Sequence, residues 1–146
     1  MSLRDGSKKM SKSDPSDYSR IMLTDTAENI IQKIKKAKTD PEPLPNDKSD
    51  LGKRPEAQNL ISIFASLQDT SIESVVKEYA GKEFSNFKKD LADLSVSKLE
   101  PITNEMNKLM NDVSYIDSIL NQGRDKAVAV AEPVLQKTKE IIGFLT

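Results

Sequence analysis

Cysteine and histidine are both absent from the 146 residues, and these two absences exclude a wide range of chemistry. Without thiols there is no disulfide framework, no thiolate zinc site and no cysteine nucleophile. Without imidazole the Ser-His-Asp and Cys-His arrangements fall away, as do most zinc sites and any mechanism that needs a histidine near neutral pH. No apolar run approaches bilayer length, and the opening Met1-Ser2-Leu3-Arg4-Asp5-Gly6 lacks the apolar stretch of a secretory signal. A cytoplasmic protein with no membrane partner is therefore expected. Net charge is nearly absent too: 22 Lys and Arg stand against 23 Asp and Glu, leaving −1, so bulk charge gives no pull toward nucleic acid or anionic lipid. Any phosphate binding must come from local clustering. The 36% of hydrophobic residues suffices for one soluble domain.

The first twenty residues are rich in Ser, Asp, Lys and Gly and contain Pro15, which predicts a loop with room for a strand remnant at residues 1–4. Residues 21–146 read as a helical domain. From Asp25 onward Ala27, Ile30, Ile31, Ile34 and Ala37 recur at spacings of three and four, and Asp25 with Glu28 suits a capping box. Pro41, Pro43, Pro45 and Pro55 then predict an extended polar linker over 39–55, free to move at the surface. A second helix fits 56–68, with Ala57, Leu60, Ile61, Phe64 and Leu67 as its stripe. A third fits 72–80, capped by Thr70 and Glu73 and ended by Gly81 at positive φ.

The longest helix runs over about 86–111, with Phe87, Leu91, Leu94, Leu99, Ile102, Met106 and Leu109 inward and Pro101 bending or splitting it. A short helix over about 114–121 is expected to stop at Gly123, and a last one over about 124–144 is interrupted by Pro133. Val128, Val130, Ile141, Ile142, Phe144 and Leu145 spread round more of that last helix than one packing face requires, so it is expected to meet a partner. Nothing alternates with period two over a useful length. The fold class is all-α, a helical bundle preceded by a loop.

The residues that carry chemistry lie at the front: Lys8-Lys9-Met10-Ser11-Lys12-Ser13-Asp14-Pro15. Two lysines separated by Met and Ser can converge on a polyphosphate while hydroxyls and backbone N–H groups donate to its oxygens. In nucleotidyl transfer the departing pyrophosphate gains charge as the α-phosphate is attacked, so lysines that meet it best in the transition state lower the barrier. A lysine-serine run of no particular order would be a solvated tail.

The order is specific: Lys9-Met10-Ser11-Lys12-Ser13 matches, letter for letter, the KMSKS signature of class I aminoacyl-tRNA synthetases. The continuation Asp14-Pro15-Ser16-Asp17, Ser19-Arg20-Ile21, Leu23-Thr24-Asp25 and Lys33-Ile34, Lys36-Ala37, Thr39-Asp40-Pro41 resembles that of bacterial tryptophanyl-tRNA synthetases. So does the later run of Asn59-Leu60-Ile61, Phe64, Tyr79, Gly81-Lys82, Phe87-Lys88, Asp90-Leu91-Ala92, Leu99 and Pro101-Ile102. The similarity covers nearly all of this chain but only about the last two-fifths of a family member.

The resemblance implies a carboxyl-terminal fragment that begins at the KMSKS loop: an anticodon-binding-type helical domain with the Rossmann core and its HIGH motif absent. It implies ATP contacts by Lys9, Met10, Ser11, Lys12 and Ser13, with Lys9 and Lys12 as the catalytic pair. For the complete enzyme it implies tryptophan–tRNA ligase activity, ATP with Mg²⁺, tRNA(Trp) and tryptophan as partners, and a homodimer. The fragment alone is expected to be inactive, and its last helix to pack on the missing core. The alternative is a non-catalytic helical module that binds tRNA or protein.

Other candidates rank lower. Lys33, Lys35, Lys36 and Lys38 form the densest basic run, and a solvated lysine face is preferred over a tRNA contact. Lys82, Lys88 and Lys89 beside Phe84 and Phe87 suit backbone contacts with base stacking, but helical spacing places Phe87 in the core. Asp14 and Asp17 are read as turn formers rather than Mg²⁺ ligands, so no metal site and no specific tRNA-binding residue is assigned.

Overall fold

The computed structural model describes residues 1–144, which divide into two compact units, Met1–Asn104 and a second beginning at Glu105. The first unit holds the loop, helices α1 (Ala27–Lys35), α2 (Pro55–Gln68) and α3 (Ile72–Tyr79), and most of α4 (Phe84–Asn111). The second holds the end of α4 and α5 (Val113–Ile142). No strand occurs among the described residues, so the all-α class holds. Residues 1–4 form no strand remnant. Their backbone is instead held piecemeal: Leu3 N donates to Ser19 O at 2.9 Å, Lys38 N to Leu3 O at 2.7 Å, and the Asn59 amide to Ser2 O at 3.0 Å.

Helix α1 starts one residue later than the proposed capping box requires, with Thr26 Oγ1 accepting from Asn29 N at 3.3 Å. Asp25 is not the cap because its carboxylate accepts from Met22 N and from the buried Lys33. In α3 the cap is likewise Ser71, which accepts from Ser74 N at 3.1 Å, while Glu73 pairs with Lys77 one turn on. The stop is as expected, with Gly81 at φ +67° just beyond Ala80. Pro55 opens α2, where its missing N–H costs no intrahelical bond, and Asp69 closes it in the left-handed region.

The proline-rich segment over 39–55 is pinned, not loose. Arg54 donates from Nε to Asp40 at 3.0 Å, from Nη1 to Pro43 O at 2.7 Å and from Nη2 to Glu42 O at 3.0 Å. Leu44 and Leu51 are buried, and residues Lys48–Lys53 form a 3-10 helix. A single arginine thus satisfies carbonyls that the prolines leave outside any regular ladder.

The core of the first unit is aliphatic with an aromatic centre. Ile30, Ile34, Leu60, Ile61, Val75, Val76 and Leu91 are fully buried, and Phe64, Tyr79 and Phe87 pack with ring centroids 4.9–5.4 Å apart. The Tyr79 hydroxyl donates to Asp90 at 3.0 Å, and burial followed by that carboxylate pushes its phenol well above the ordinary tyrosine value. Two inward assignments fail: Ile31 is 39% exposed and Ile102 is 45% exposed.

Neither internal proline splits its helix. Helix α4 runs unbroken through Pro101, and α5 runs through both Gly123 and Pro133. A glycine inside a helix costs only about 1 kcal/mol, which the good helix formers on either side outweigh, so the expected stop at Gly123 does not form. The stop is Gly143, at φ +77°, where Phe144 N returns to Lys139 O at 2.9 Å. No residue of α5 is buried, and Val128, Val130, Val134, Leu135, Ile141 and Ile142 are all exposed. Leu145, counted with them above, lies outside the described residues.

Candidate functional site

The lysine loop is fixed at both shoulders and open in the middle. On the upstream side Ser2 N donates to Lys8 O at 2.8 Å, and Lys8 N donates to Asp5 O at 3.1 Å. The Asp5 carboxylate accepts from Ser7 N and Ser7 Oγ, and these bonds hold its pKa below the ordinary aspartate value. Gly6 sits directly on the start of α2. A Cβ there would collide with the Pro55 carbonyl and lie 2.7 Å from Glu56 N, all rigid backbone. Gly6→Ala is therefore expected to lift the loop base off α2 and destabilise the chain by about 1–3 kcal/mol, read as a lowered urea midpoint.

On the downstream side Asp14 Oδ1 accepts from Ser16 N at 2.8 Å, the turn expected of an aspartate before proline. Arg20 closes this shoulder by donating from Nη1 to Asp14 O at 2.9 Å and Ser16 O at 3.3 Å. Asp17, in a 3-10 turn over Asp17–Ser19, pairs with Arg20 at 3.4 Å and with Lys33 at 2.8 Å. Lys33 hydrogen bonding first, and then its charge and that of Arg20, hold the Asp17 carboxyl below its ordinary value.

Between the shoulders Lys9 and Lys12 are exposed, and neither has a carboxylate within 4 Å among the described residues. Lys8 differs, being paired with Asp5 at 3.4 Å. Ser11 and Ser13 exchange a hydroxyl bond at 3.1 Å, and Ser13 N donates to Ser11 Oγ at 3.3 Å. Met10 is partly buried against the core and anchors the loop between its two lysines. The motif therefore presents two uncompensated ammonium groups and two hydroxyls on a short, braced turn. Such a set suits a polyphosphate.

The basic run on α1 separates into different roles. Lys33 is 3% exposed and bridges Asp25 at 2.7 Å and Asp17 at 2.8 Å, so it belongs neither to a solvated face nor to a phosphate surface. Burial pushes its pKa down, but the hydrogen bonds and charges of the two carboxylates outweigh that and leave it above the ordinary lysine value. The helical spacing of Ile30, Lys33, Ile34 and Ala37 was a signal that it faces inward. Lys38 pairs with Glu56 at 2.8 Å, and Lys36 lies 4.5 Å from the Tyr18 ring centroid. Lys88 donates to Ala37 O at 2.6 Å just past the carboxyl end of α1, where a cation is favoured, although burial lowers its pKa. Phe84 and Phe87 are both buried and unavailable for stacking on a base. A cleft of about 470 Å³ between α1 and α4, lined by Ile31, Lys35, Phe84, Lys88 and Ala92, shares no residue with the lysine loop. No group of three metal-ligating side chains, and no helix long and apolar enough to cross a membrane, occurs among the described residues.

Comparison with known proteins agrees with the motif. The chain is 57% identical over 145 residues to the tryptophan–tRNA ligase of Rhizobium meliloti (strain 1021), covering 99% of this chain and 41% of that protein. It is 53% identical over 144 residues to that of Caulobacter vibrioides, covering 99% and 42% respectively, and 47% identical over 145 residues to that of Rickettsia felis, covering 99% and 43%. It thus spans about two-fifths of the length of these relatives. The crystal structure of tryptophanyl-tRNA synthetase from Mycoplasma pneumoniae superposes with a TM-score of 0.72 at 23% identity, over 100% of this chain and 45% of that one, which places the two in one fold. Residues 1–100 match the family of class I tRNA synthetases (W and Y), and the chain belongs to that family.

Proposed function

We propose that this chain is the carboxyl-terminal part of a tryptophan–tRNA ligase, in which Lys9 and Lys12 stabilise the pyrophosphate released when tryptophan is activated. The carrying observation is the pair of exposed, unpaired ammonium groups on a loop braced at both ends. In the reaction a tryptophan carboxylate oxygen bonds to the α-phosphorus of ATP while the bond from that phosphorus to the bridging oxygen of pyrophosphate breaks. Negative charge accumulates on the leaving group, and the lysines act where it accumulates, so they favour the transition state over bound ATP. Ser11 and Ser13 can exchange their mutual bond for phosphate oxygens, with Met10 holding the turn against the core.

Mg²⁺ travels with ATP in such chemistry, but the donor set here does not fit a metal site. Asp14 is engaged by Ser16 N and Asp17 by Lys33 and Arg20, so no step is assigned to a metal held by this chain. The same reading carries tRNA(Trp), a cytoplasmic location and a homodimeric whole enzyme, with α5 packing its exposed aliphatic residues on the nucleotide-binding core. Tryptophan and adenine are then bound by parts of the enzyme outside this chain. The purified chain is accordingly expected to show no tryptophan-dependent ATP–pyrophosphate exchange, whereas a complete synthetase carrying this segment does. Exchange by the chain alone, with contaminating enzyme excluded by a Lys9→Ala/Lys12→Ala control, would overturn this reading.

A further inference from the structure

We infer that Asp17 is a positioning residue for adenylate formation: held by the buried Lys33 and by Arg20, it fixes the downstream shoulder of the loop so that Lys12 meets the departing pyrophosphate. The inference rests on the role proposed above for Lys12.

Lys33 does not need Asp17 in order to be buried. Asp25, 9% exposed in its side chain, already lies 2.7 Å from the ammonium and also accepts from Met22 N at 2.8 Å. That pair alone supplies the countercharge that a buried lysine requires. Asp17 is a different kind of partner, with a side chain 60% exposed, in a single 3-10 turn directly after the loop. Its two oxygens are divided: Oδ2 accepts from Lys33, and Oδ1 faces Arg20.

Arg20 then passes the connection on. Its Nη1 holds the carbonyls of Asp14 and Ser16, and Asp14 is the residue that follows the last letter of the motif. Its Nε is buried without a partner among the described residues, so the orientation of the guanidinium depends on the Asp17 carboxylate and these two carbonyls. An unbroken series of polar contacts therefore runs from the inside of α1, through Asp17 and Arg20, to the end of the loop that carries Lys12. Two cations and two carboxylates balance within it, so it needs no external counterion. The upstream shoulder has its own support in Gly6 and Ser2 and does not depend on this series. Displacement of a reacting group by about 1 Å can cost up to 100-fold in rate, so an exposed residue outside the motif can govern the chemistry through geometry.

The test is a double-mutant cycle in a complete synthetase carrying this segment, with Asp17→Asn and Lys12→Ala made singly and together. Adenylate formation is followed by single-turnover kinetics, and ATP KM and kcat by pyrophosphate exchange. Asp17→Asn leaves the Lys33–Asp25 pair intact, so folding is preserved, and the expected result is a kcat lower by about 10- to 100-fold with little change in ATP KM. Asp17→Glu, which keeps the charge, is expected to recover most of the rate. On the Lys12→Ala background Asp17→Asn should cost almost nothing further, because the group it positions is gone. A parental rate for Asp17→Asn, or the same loss on both backgrounds, overturns the inference while leaving the role of Lys12 standing. A parental rate for Lys12→Ala alone overturns the proposed role of the lysine, and this inference with it.

Discussion

Replacing Lys12 by alanine in a complete synthetase is expected to slow adenylate formation by about 10²- to 10³-fold, the usual loss when one preorganised donor to a developing anion is removed. ATP KM should change far less. The physical reason lies in when the charge appears. In bound ATP the β- and γ-phosphates are already anionic, and an exposed lysine competes there with water for modest gain. As the bond at the α-phosphorus breaks, new charge moves onto the leaving pyrophosphate, and an ammonium fixed nearby gains strength without further reorganisation. Lys12 suits this role because no carboxylate among the described residues neutralises it and because the turn that carries it is braced on both sides. Lys8 is the internal control. It stands one position before the motif and is paired with Asp5 at 3.4 Å, so Lys8→Ala should leave both parameters near their starting values. Stopped-flow measurement of adenylate formation across ATP concentrations separates the two effects. Equal losses in rate and ATP affinity for Lys12→Ala would mean that the lysine holds the ground state.

Much of this arrangement was legible before the structure, for identifiable reasons. The α2 stripe reads clearly because five apolar residues recur at helical spacing, although Pro55, assigned to the linker, is the residue that opens the helix. The caps of α1 and α3 shift by one residue, although α3 starts at Ile72 as expected, because neighbouring side chains compete for the cap. Thr26 wins over Asp25 once Asp25 is drawn to Lys33, and Ser71 wins over Thr70. The stop expected at Gly123, the interruption expected at Pro133 and the split offered for Pro101 do not form because a local penalty of about 1–3 kcal/mol is set against long runs of favourable helix formers. At the loop, the identities of Lys9 and Lys12 carry the motif, but its bracing does not show in the linear order. Gly6 matters only because Pro55 comes to lie against it, and Arg20 only because carbonyls four and six residues back turn toward it. Lys33 is the instructive case: the expected solvated lysine face does not hold for it, since it stands on the Ile30, Ile34 and Ala37 face, and the periodicity that identified the helix carried an inward signal for it that the run of neighbouring lysines masked.

Phe87→Ala should be the most damaging substitution in the first unit, at about 3–5 kcal/mol, a large part of the 5–15 kcal/mol that usually holds a domain together. Phe87 is fully buried, and its ring meets both Tyr79, at 4.9 Å between centroids, and Phe64, at 5.4 Å. Truncation forfeits the buried apolar area and both ring contacts, and it leaves a cavity that neighbours on three helices must close. They are poorly placed to do so, because Leu60, Ile61, Val75 and Leu91 are themselves fully buried. Tyr79 has a further tie to Asp90, which restrains its ring from sliding into the space. Ile102→Ala on the same helix provides the comparison, since that side chain is 45% exposed and its loss should cost much less. Urea unfolding followed by far-UV circular dichroism gives both values, and near-UV dichroism from Tyr79 should weaken for Phe87→Ala before any denaturant is added. If the two substitutions lowered the midpoint equally, the aromatic triangle would not be the centre of this core, and the support it gives α4 beneath Lys88 and the carboxyl end of α1 would have to come from elsewhere.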